Sequence, residues 1–279
     1  ICGSLGEAYG WHWGFAAAGI GMLSSLVIYL CGQRHLPTEA TRTPARQTVR
    51  TPLDRPTWRR LGFLMGVAAI VVVFRGAYEQ VGNTIALWAD EGVNRHVAAG
   101  WSIPMTWFQS LDSLVVITAT PLLLARWSRL AKRGIETPWL HKMAFGAAVV
   151  GLSYVLLAGV SAWAESHGTR AHWVWLTGWF VLMTLGELYI LPVGLGLFGR
   201  MAPEGFRATS IALWFFAGFF GNLLAGALGT LWTPLSHGWF FMLIGGVAGL
   251  AGLLLYVVGL RVGQVEKREN GSLAAMLSR

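Results

Sequence analysis

The sequence predicts an all-α membrane protein with seven spans, and three observations carry that prediction. The chain is 54% hydrophobic and only 12% charged, where a soluble domain averages about 25% charged residues. Seven apolar stretches approach or exceed the ~20 residues that a helix needs to cross a bilayer core. The basic residues between them gather in alternate loops, as the positive-inside rule requires. Backbone groups in lipid must be satisfied internally, so each stretch reads as a helix.

The elements follow in order. Residues 1–3 read as the tail of an earlier helix, and Gly10-Trp11-His12-Trp13 opens the first span, residues 13–31. No basic segment precedes an apolar run, so no signal peptide is expected. Residues 1–31 thus read as the end of an N-terminal bundle, and the chain as a fragment of a larger protein. Residues 32–60 hold Pro37, Pro44, Pro52 and Pro56 among many arginines, and proline breaks helix, so they form an extended, solvated linker. Its basic residues can rest on anionic lipid heads. Six spans follow at 61–88, 103–127, 143–164, 174–198, 211–232 and 239–260, making 61–260 the natural domain. Residues 261–279 are polar enough to leave the membrane, with a short surface helix at 273–277.

The net charge of +8 raises nucleic acid as a partner, but its distribution argues against one. Arg34 to Arg60, Arg126 to Lys142, Arg200 with Arg207, and Arg261 to Arg279 fall on one side, whereas the other side holds only Arg95 and Arg170. The bias follows topology rather than one folded surface. It places the linker and C-terminal tail in the cytoplasm, and 89–101, 165–172 and 233–238 outside, with the cell (inner) membrane as the expected location. Cys2 and Cys31 stand at opposite ends of the first span, too far apart to pair. Most of the fifteen Trp mark span ends, as an interfacial belt does. Gly245–Gly249 and the stripe Gly218, Gly221, Ala225 are read as sites of close helix packing. Gly194-x-Gly196-x-x-Gly199 resembles a dinucleotide fingerprint only as a string, because no strand precedes it.

The chemistry lies in charged residues inside the spans. Each costs roughly 2.5–3.5 kcal/mol at the bilayer centre on insertion scales, so each is expected to face a bundle interior or watery cavity. Arg75, Glu79 and Asn83 recur every four residues and share one face of a continuous helix. An Arg75–Glu79 pair lowers the cost of burying either member; it serves transport or is only a local ion pair. Gln109 and Asp112 are three apart, so their side chains can meet. Asp112 has no cation on its own helix, so it finds one elsewhere, is hydrated, or carries a proton; a hydrogen-bonded structural role is the alternative. Glu187 precedes Pro192, whose ring frees the carbonyl of Leu188 and predicts a kink, as Pro121 does for the carbonyl of Ile117. A bend beside a carboxylate suits a site that binds, releases and reorients.

These spans also carry a family pattern. Residues 74–90, FRGAYEQVGNTIALWAD, resemble the seventh helix of the proton-coupled oligopeptide transporter (POT/PTR) family, FWA-x-x-EQ-x-G-[ST]-x-x-x-x-[FY]-AD. Residues 103–121, IPMTWFQSLDSLVVITATP, resemble its eighth-helix run, IPxxWFQSLNPLxIIxxxP. Residues 186–203, GELYILPVGLGLFGRMAP, match its GELxxSPxGLSxxxxLAP signature, and Leu213-Trp214-Phe215 its LWF. The resemblance implies a major facilitator-type C-terminal six-helix bundle plus one preceding transmembrane helix, and import of di- or tripeptides by alternating access. It implies that Glu187 binds the peptide amino terminus with help from residue 112, that Glu79 couples to protons through a salt bridge, and that Trp214 lines the pocket; on its own, Trp214 fits core or lipid equally. Gln109 joins the expected substrate site. The coupling ion is the proton, with no metal or other cofactor; the partners are a peptide-like solute, the bilayer and the N-terminal bundle.

The chain departs from the pattern at Asp112 for Asn, Leu191 and Gly196 for Ser, and Arg75 for Trp. Substrate preference is therefore left open between peptides and another small solute, such as an amino-acid derivative or an anion. A non-transporting scaffold is a further class. An enzyme is not expected: there is neither an HExxH helix nor a GxSxG elbow, and His167 and His172 fall in an external loop.

Overall fold

A computed structural model describes residues 2–35, 54–98, 100–135 and 137–277. The opening helices are α1 (Cys2–Tyr9) and α2 (Trp11–Gly32), separated by Gly10 at φ 103°, a left-handed conformation that glycine adopts without steric cost. Then come α3 (Arg55–Tyr78), a 3₁₀ turn (Glu79–Gly82) and α4 (Thr84–Glu91). Next are α5 (Met105–Lys132), α6 (Trp139–Ser166), α7 (Trp173–Met201), α8 (Arg207–Gly229) and α9 (His237–Leu277). Seven helical stretches among the described residues are long and apolar enough to cross a membrane.

Helix α3 starts ahead of the apolar run at Leu61. Asp54 caps it by accepting from the Thr57 amide at 3.1 Å, and Pro56 occupies the first turn, where a missing N–H costs nothing. Hydrogen bonds from Thr57, side chain first and then backbone, hold the Asp54 carboxyl below its ordinary value. A depressed carboxyl stabilises the helix above its unfolded pKa, and that contribution fades as pH falls through the folded value. Replacing Asp54 with Ala should therefore speed hydrogen exchange in the first turn of α3 at neutral pH but not in strong acid. Equal exchange at neutral pH would refute the cap. The linker prolines Pro37, Pro44 and Pro52 lie outside the described residues. At the other end, residues 273–277 belong to the same helix as the last span rather than to a separate one.

Three features contradict or refine the sequence expectations. The 61–88 stretch is not one helix: it breaks at Glu79–Gly82, and Asn83 has φ −115° and ψ −97°. Asn83 therefore does not continue the face of Arg75 and Glu79. Pro121 and Pro192 both lie inside continuous helices. Helix α9 continues without a break past Leu260, to Leu277.

Helix α6 packs between α7 and α9, while α3 packs against α8 and α9; α5 leans on α7. Two of the close helix approaches set glycine against glycine. A Cβ at Gly146 would meet the Gly186 carbonyl at 2.5 Å, and one at Gly186 would meet the Gly146 carbonyl at 2.7 Å. Gly245 and Gly151 stand in the same relation between α6 and α9, each 3.0 Å from the other's carbonyl by the same measure. Small residues let backbones approach where lipid offers no hydrophobic drive, and Gly245 and Gly221 pack as their spacing predicts. Tyr154 sits at the centre, fully buried, and its hydroxyl donates to the Ala77 carbonyl at 2.9 Å. That bond ties α6 to the last turn of α3, just before the break. Two residue pairs, Val93–Ala171 and Asn94–His172, form a short parallel bridge between β1 (Val93–Asn94) and β4 (Ala171–His172). The bridge joins the segment after α4 to the one after α6.

Candidate functional site

The cluster grows from the end of α3. Arg75 Nη1 donates to Glu79 Oε1 at 2.7 Å, one helical turn apart, with side chains 19% and 25% exposed. Arg75 lies across α8 where Gly221 has no side chain; a Cβ there would overlap the Arg75 Cβ. Its guanidinium stands 5.4 Å from the centre of the Tyr78 ring. The small stripe of α8 thus makes the trough in which a membrane-embedded arginine is held.

The break next to this pair is stabilised by Gln80, which is completely buried. Its amide nitrogen donates to the Ala225 carbonyl of α8 at 2.9 Å and to the Gly76 carbonyl at 3.3 Å. Its oxygen accepts from the Thr84 hydroxyl at 2.9 Å and from the Asn83 amide at 3.5 Å. Every hydrogen-bonding position of the amide is used, as a buried polar group in an apolar bundle requires. Gln80 was readable only as part of a motif; its structural role comes from a helix 145 positions away.

Asp112 on α5 and Glu187 on α7 approach from the opposite side. The Thr184 hydroxyl is 2.7 Å from Asp112 Oδ1 and 2.8 Å from the Phe180 carbonyl. The hydroxyl is shared between the two acceptors, so Thr184 ties α7 to the carboxylate on α5. Glu187 follows Thr184 by three positions and shares its helix face. Its carboxylate lies within interaction range of the Tyr78 hydroxyl and Asp112, and within electrostatic range of Arg75. One of its oxygens, Oε2, is buried and has no hydrogen-bond partner. Such an atom calls for a ligand or a proton.

Arg75, Tyr78, Glu79, Asp112, Thr184 and Glu187 therefore meet across three helices. Other expected members do not join them. Gln109 is exposed and makes no side-chain hydrogen bond among the described residues, so it does not meet Asp112; Thr184 takes that place. Trp214 is 3% exposed, 5.2 Å from Phe198 ring to ring, and fills the space above Gly194, where a Cβ would collide with it. It belongs to the α7–α8 contact rather than to a solute-facing wall. Its neighbour Phe215 is 65% exposed, so the Leu-Trp-Phe run alternates between core and surface. Leu191 packs against the core. Thr184 and Tyr78 were missed as site residues, although Thr184 stands one turn before Glu187. Among the described residues, no group of three or more His, Cys, Asp or Glu could hold a metal.

Comparison with known proteins agrees with this architecture. A family model described as "PTR2: POT family" matches residues 1–51 and 45–239. The peptide transporter YePEPT of Yersinia enterocolitica is 27% identical over 82% of this chain and 57% of its own length. The uncharacterized transporter YclF of Bacillus subtilis is 26% identical over 96% and 63%. A di-/tripeptide transporter of Lactococcus lactis is 24% identical over 92% and 64%. The chain thus spans less than two thirds of these relatives. A crystal structure of a peptide transporter POT in complex with alafosfalin superposes with a TM-score of 0.79 at 24% identity, covering 95% of this chain and 64% of that one. A POT family transporter in complex with 5-aminolevulinic acid gives 0.67 at 20% identity, covering 90% and 54%.

Proposed function

Because the chain belongs to the POT family of transporters and is a multi-pass integral membrane protein, we propose that it forms the C-terminal bundle, with one preceding helix, of a proton-coupled importer. The solutes are di- and tripeptides or peptide-like molecules, moved by alternating access against an N-terminal bundle of the same protein. The observation that carries this reading is the meeting of Asp112, Glu187 and the Arg75–Glu79 pair across α3, α5 and α7. Three carboxylates there face one guanidinium, so a cation or protons must balance the charge. A peptide's ammonium group supplies a cation with three donors, which suits the unpartnered oxygen of Glu187.

In this mechanism Glu187 holds the amino terminus, and Asp112, positioned by the Thr184 hydroxyl, assists it. Glu79 takes the coupling proton; protonation releases Arg75, which is then free to seek a partner on the other bundle. The proton is the only coupling ion the cluster needs. The basic linker and C-terminal tail lie in the cytoplasm, and the protein sits in the cell membrane, following the charge bias of the loops.

A second reading is favoured by Asp112: the same fold carries a small amino-acid derivative, whose ammonium group lies close to a second polar group that Asp112 meets. A scaffold without transport has no use for three carboxylates in its spans.

The test uses the full-length protein in proteoliposomes. The wild-type should accumulate a labelled dipeptide when a pH gradient is imposed. Glu79→Gln should lose accumulation by about tenfold or more, since a neutral side chain can neither take up a proton nor hold Arg75. Exchange of labelled for unlabelled dipeptide should be less affected. Undiminished accumulation would remove Glu79 from the coupling path.

A further inference from the structure

A second charged site lies at the other end of the bundle, about 22 Å along α5 from Asp112 to Trp127 at helical rise. There a cavity of about 370 Å³ opens between the end of α5, the loop that follows it, the start of α6 and the end of α7. Two cations line it. Lys142 Nζ stands 4.5 Å above the centre of the Trp127 ring, and the Arg200 guanidinium 5.0 Å above that of Trp139. Neither forms an ion pair with a carboxylate among the described residues. Ser128 and Thr137 add hydroxyl donors to the same wall.

The aromatic rests are themselves held. Tyr189 meets Trp127 edge-on at 5.4 Å. Trp139 is seated over Gly196, where a Cβ would stand 2.8 Å from its ring. Gly196 replaces the serine of the family pattern, and the space it leaves is filled by the ring that carries Arg200. Stacking fixes the long side chains but leaves their N–H donors free at the edge. Two pre-positioned cations beside hydroxyl groups match a tetrahedral oxyanion.

The surroundings share that character. Arg126, Arg129, Lys132 and Arg133 come from the same end of α5, while Glu136, the acidic residue of this loop, lies outside the described residues. The exposed side chains of Leu124 and Ile135 give the cavity an apolar flank, along which an acyl chain can run. Basic pockets between transmembrane helices at an interface are suited to anionic headgroups.

We propose that this cavity binds the phosphate group of an anionic ligand, supplied either by a glycerophospholipid headgroup or by free phosphate. The proposal stands independently of the solute taken by the carboxylate cluster.

The test titrates delipidated full-length protein in detergent with short-chain phosphatidylglycerol and, separately, with inorganic phosphate, reading melting temperature and ligand retention by native mass spectrometry. Phosphatidylglycerol should stabilise the wild-type, and K142Q/R200Q should weaken that response by about tenfold or more. R129Q/R133Q, which removes the same charge outside the cavity, should keep it. An equal response to inorganic phosphate, lost in K142Q/R200Q, assigns the site to free phosphate; a response to the lipid alone assigns it to headgroups. Identical titrations for wild-type and K142Q/R200Q overturn the proposal, as does an equal loss in R129Q/R133Q. Should the double variant fail to fold, S128E places a carboxylate at the cavity wall and is judged by the same criterion.

Discussion

Substituting Glu187 with Gln should abolish peptide uptake while the protein still inserts and remains monodisperse. Gln keeps the volume of the side chain, so the packing of α7 is retained. What it loses is the charge that an ammonium group would meet in a half-buried, three-helix setting. Removing one partner of such a pair costs about 2–5 kcal/mol, which corresponds to roughly 30-fold to several thousand-fold in affinity. Initial rates of dipeptide uptake in proteoliposomes, compared at equal amounts of correctly oriented protein, measure this. Gln should fail under an imposed pH gradient and also in exchange, unlike the Glu79 variant. Uptake within a few-fold of wild-type would mean that the unpartnered oxygen of Glu187 has no part in holding solute.

The second large effect concerns the fold. At Gly186 a Leu side chain would have to displace backbone rather than a flexible side-chain tip, because the neighbouring atoms are the Gly146 carbonyl and the Val150 amide nitrogen and methyl. Overpacking typically costs 1–3 kcal/mol where side chains can shift; here α6 and α7 must separate, so a loss of about 3 kcal/mol or more is expected. The expected result is little monodisperse protein and a clearly lowered melting temperature. Gly159→Leu on α6, where a Cβ meets nothing within 4 Å, is the matched control. A Gly186→Leu protein as stable as wild-type would show that the two helices are not held at this distance.

The sequence made some features readable and left others hidden, for physical reasons. Span existence was legible because apolar length is the main demand of the bilayer. The break in α3 was not: hydropathy averages over residues, and a 3₁₀ turn leaves the apolar character unchanged. Its local signal was the Gly82–Asn83 pair, both poor helix formers. The start of α3 was equally available in Asp54 and Pro56, a cap followed by a first-turn proline, yet it lies outside the apolar run that defined the span. In the site, charge inside a span identified Arg75, Glu79, Asp112 and Glu187, but periodicity fixes a face, not the helix opposite. Hence Asp112 was paired with Gln109 on its own helix, while its hydroxyl partner sits on α7. Trp214 illustrates the converse limit, since a large amphipathic ring fits a core, a pocket or an interface, and only packing against Phe198 decides.

Gln80 has a mechanical consequence. Its amide bridges the broken end of α3 to a backbone carbonyl of α8, and holds the first residue of α4 through the Thr84 hydroxyl. If α4 were to tilt, the seam would have to give way at one side of that amide, stranding polar atoms in a dry setting, or carry α8 with it. The cheaper course is joint travel. The outer half of this broken rod and its neighbour should therefore swing as one stiff paddle, with the pivot set just past Glu79, so that a change of charge there is felt at once by the moving part.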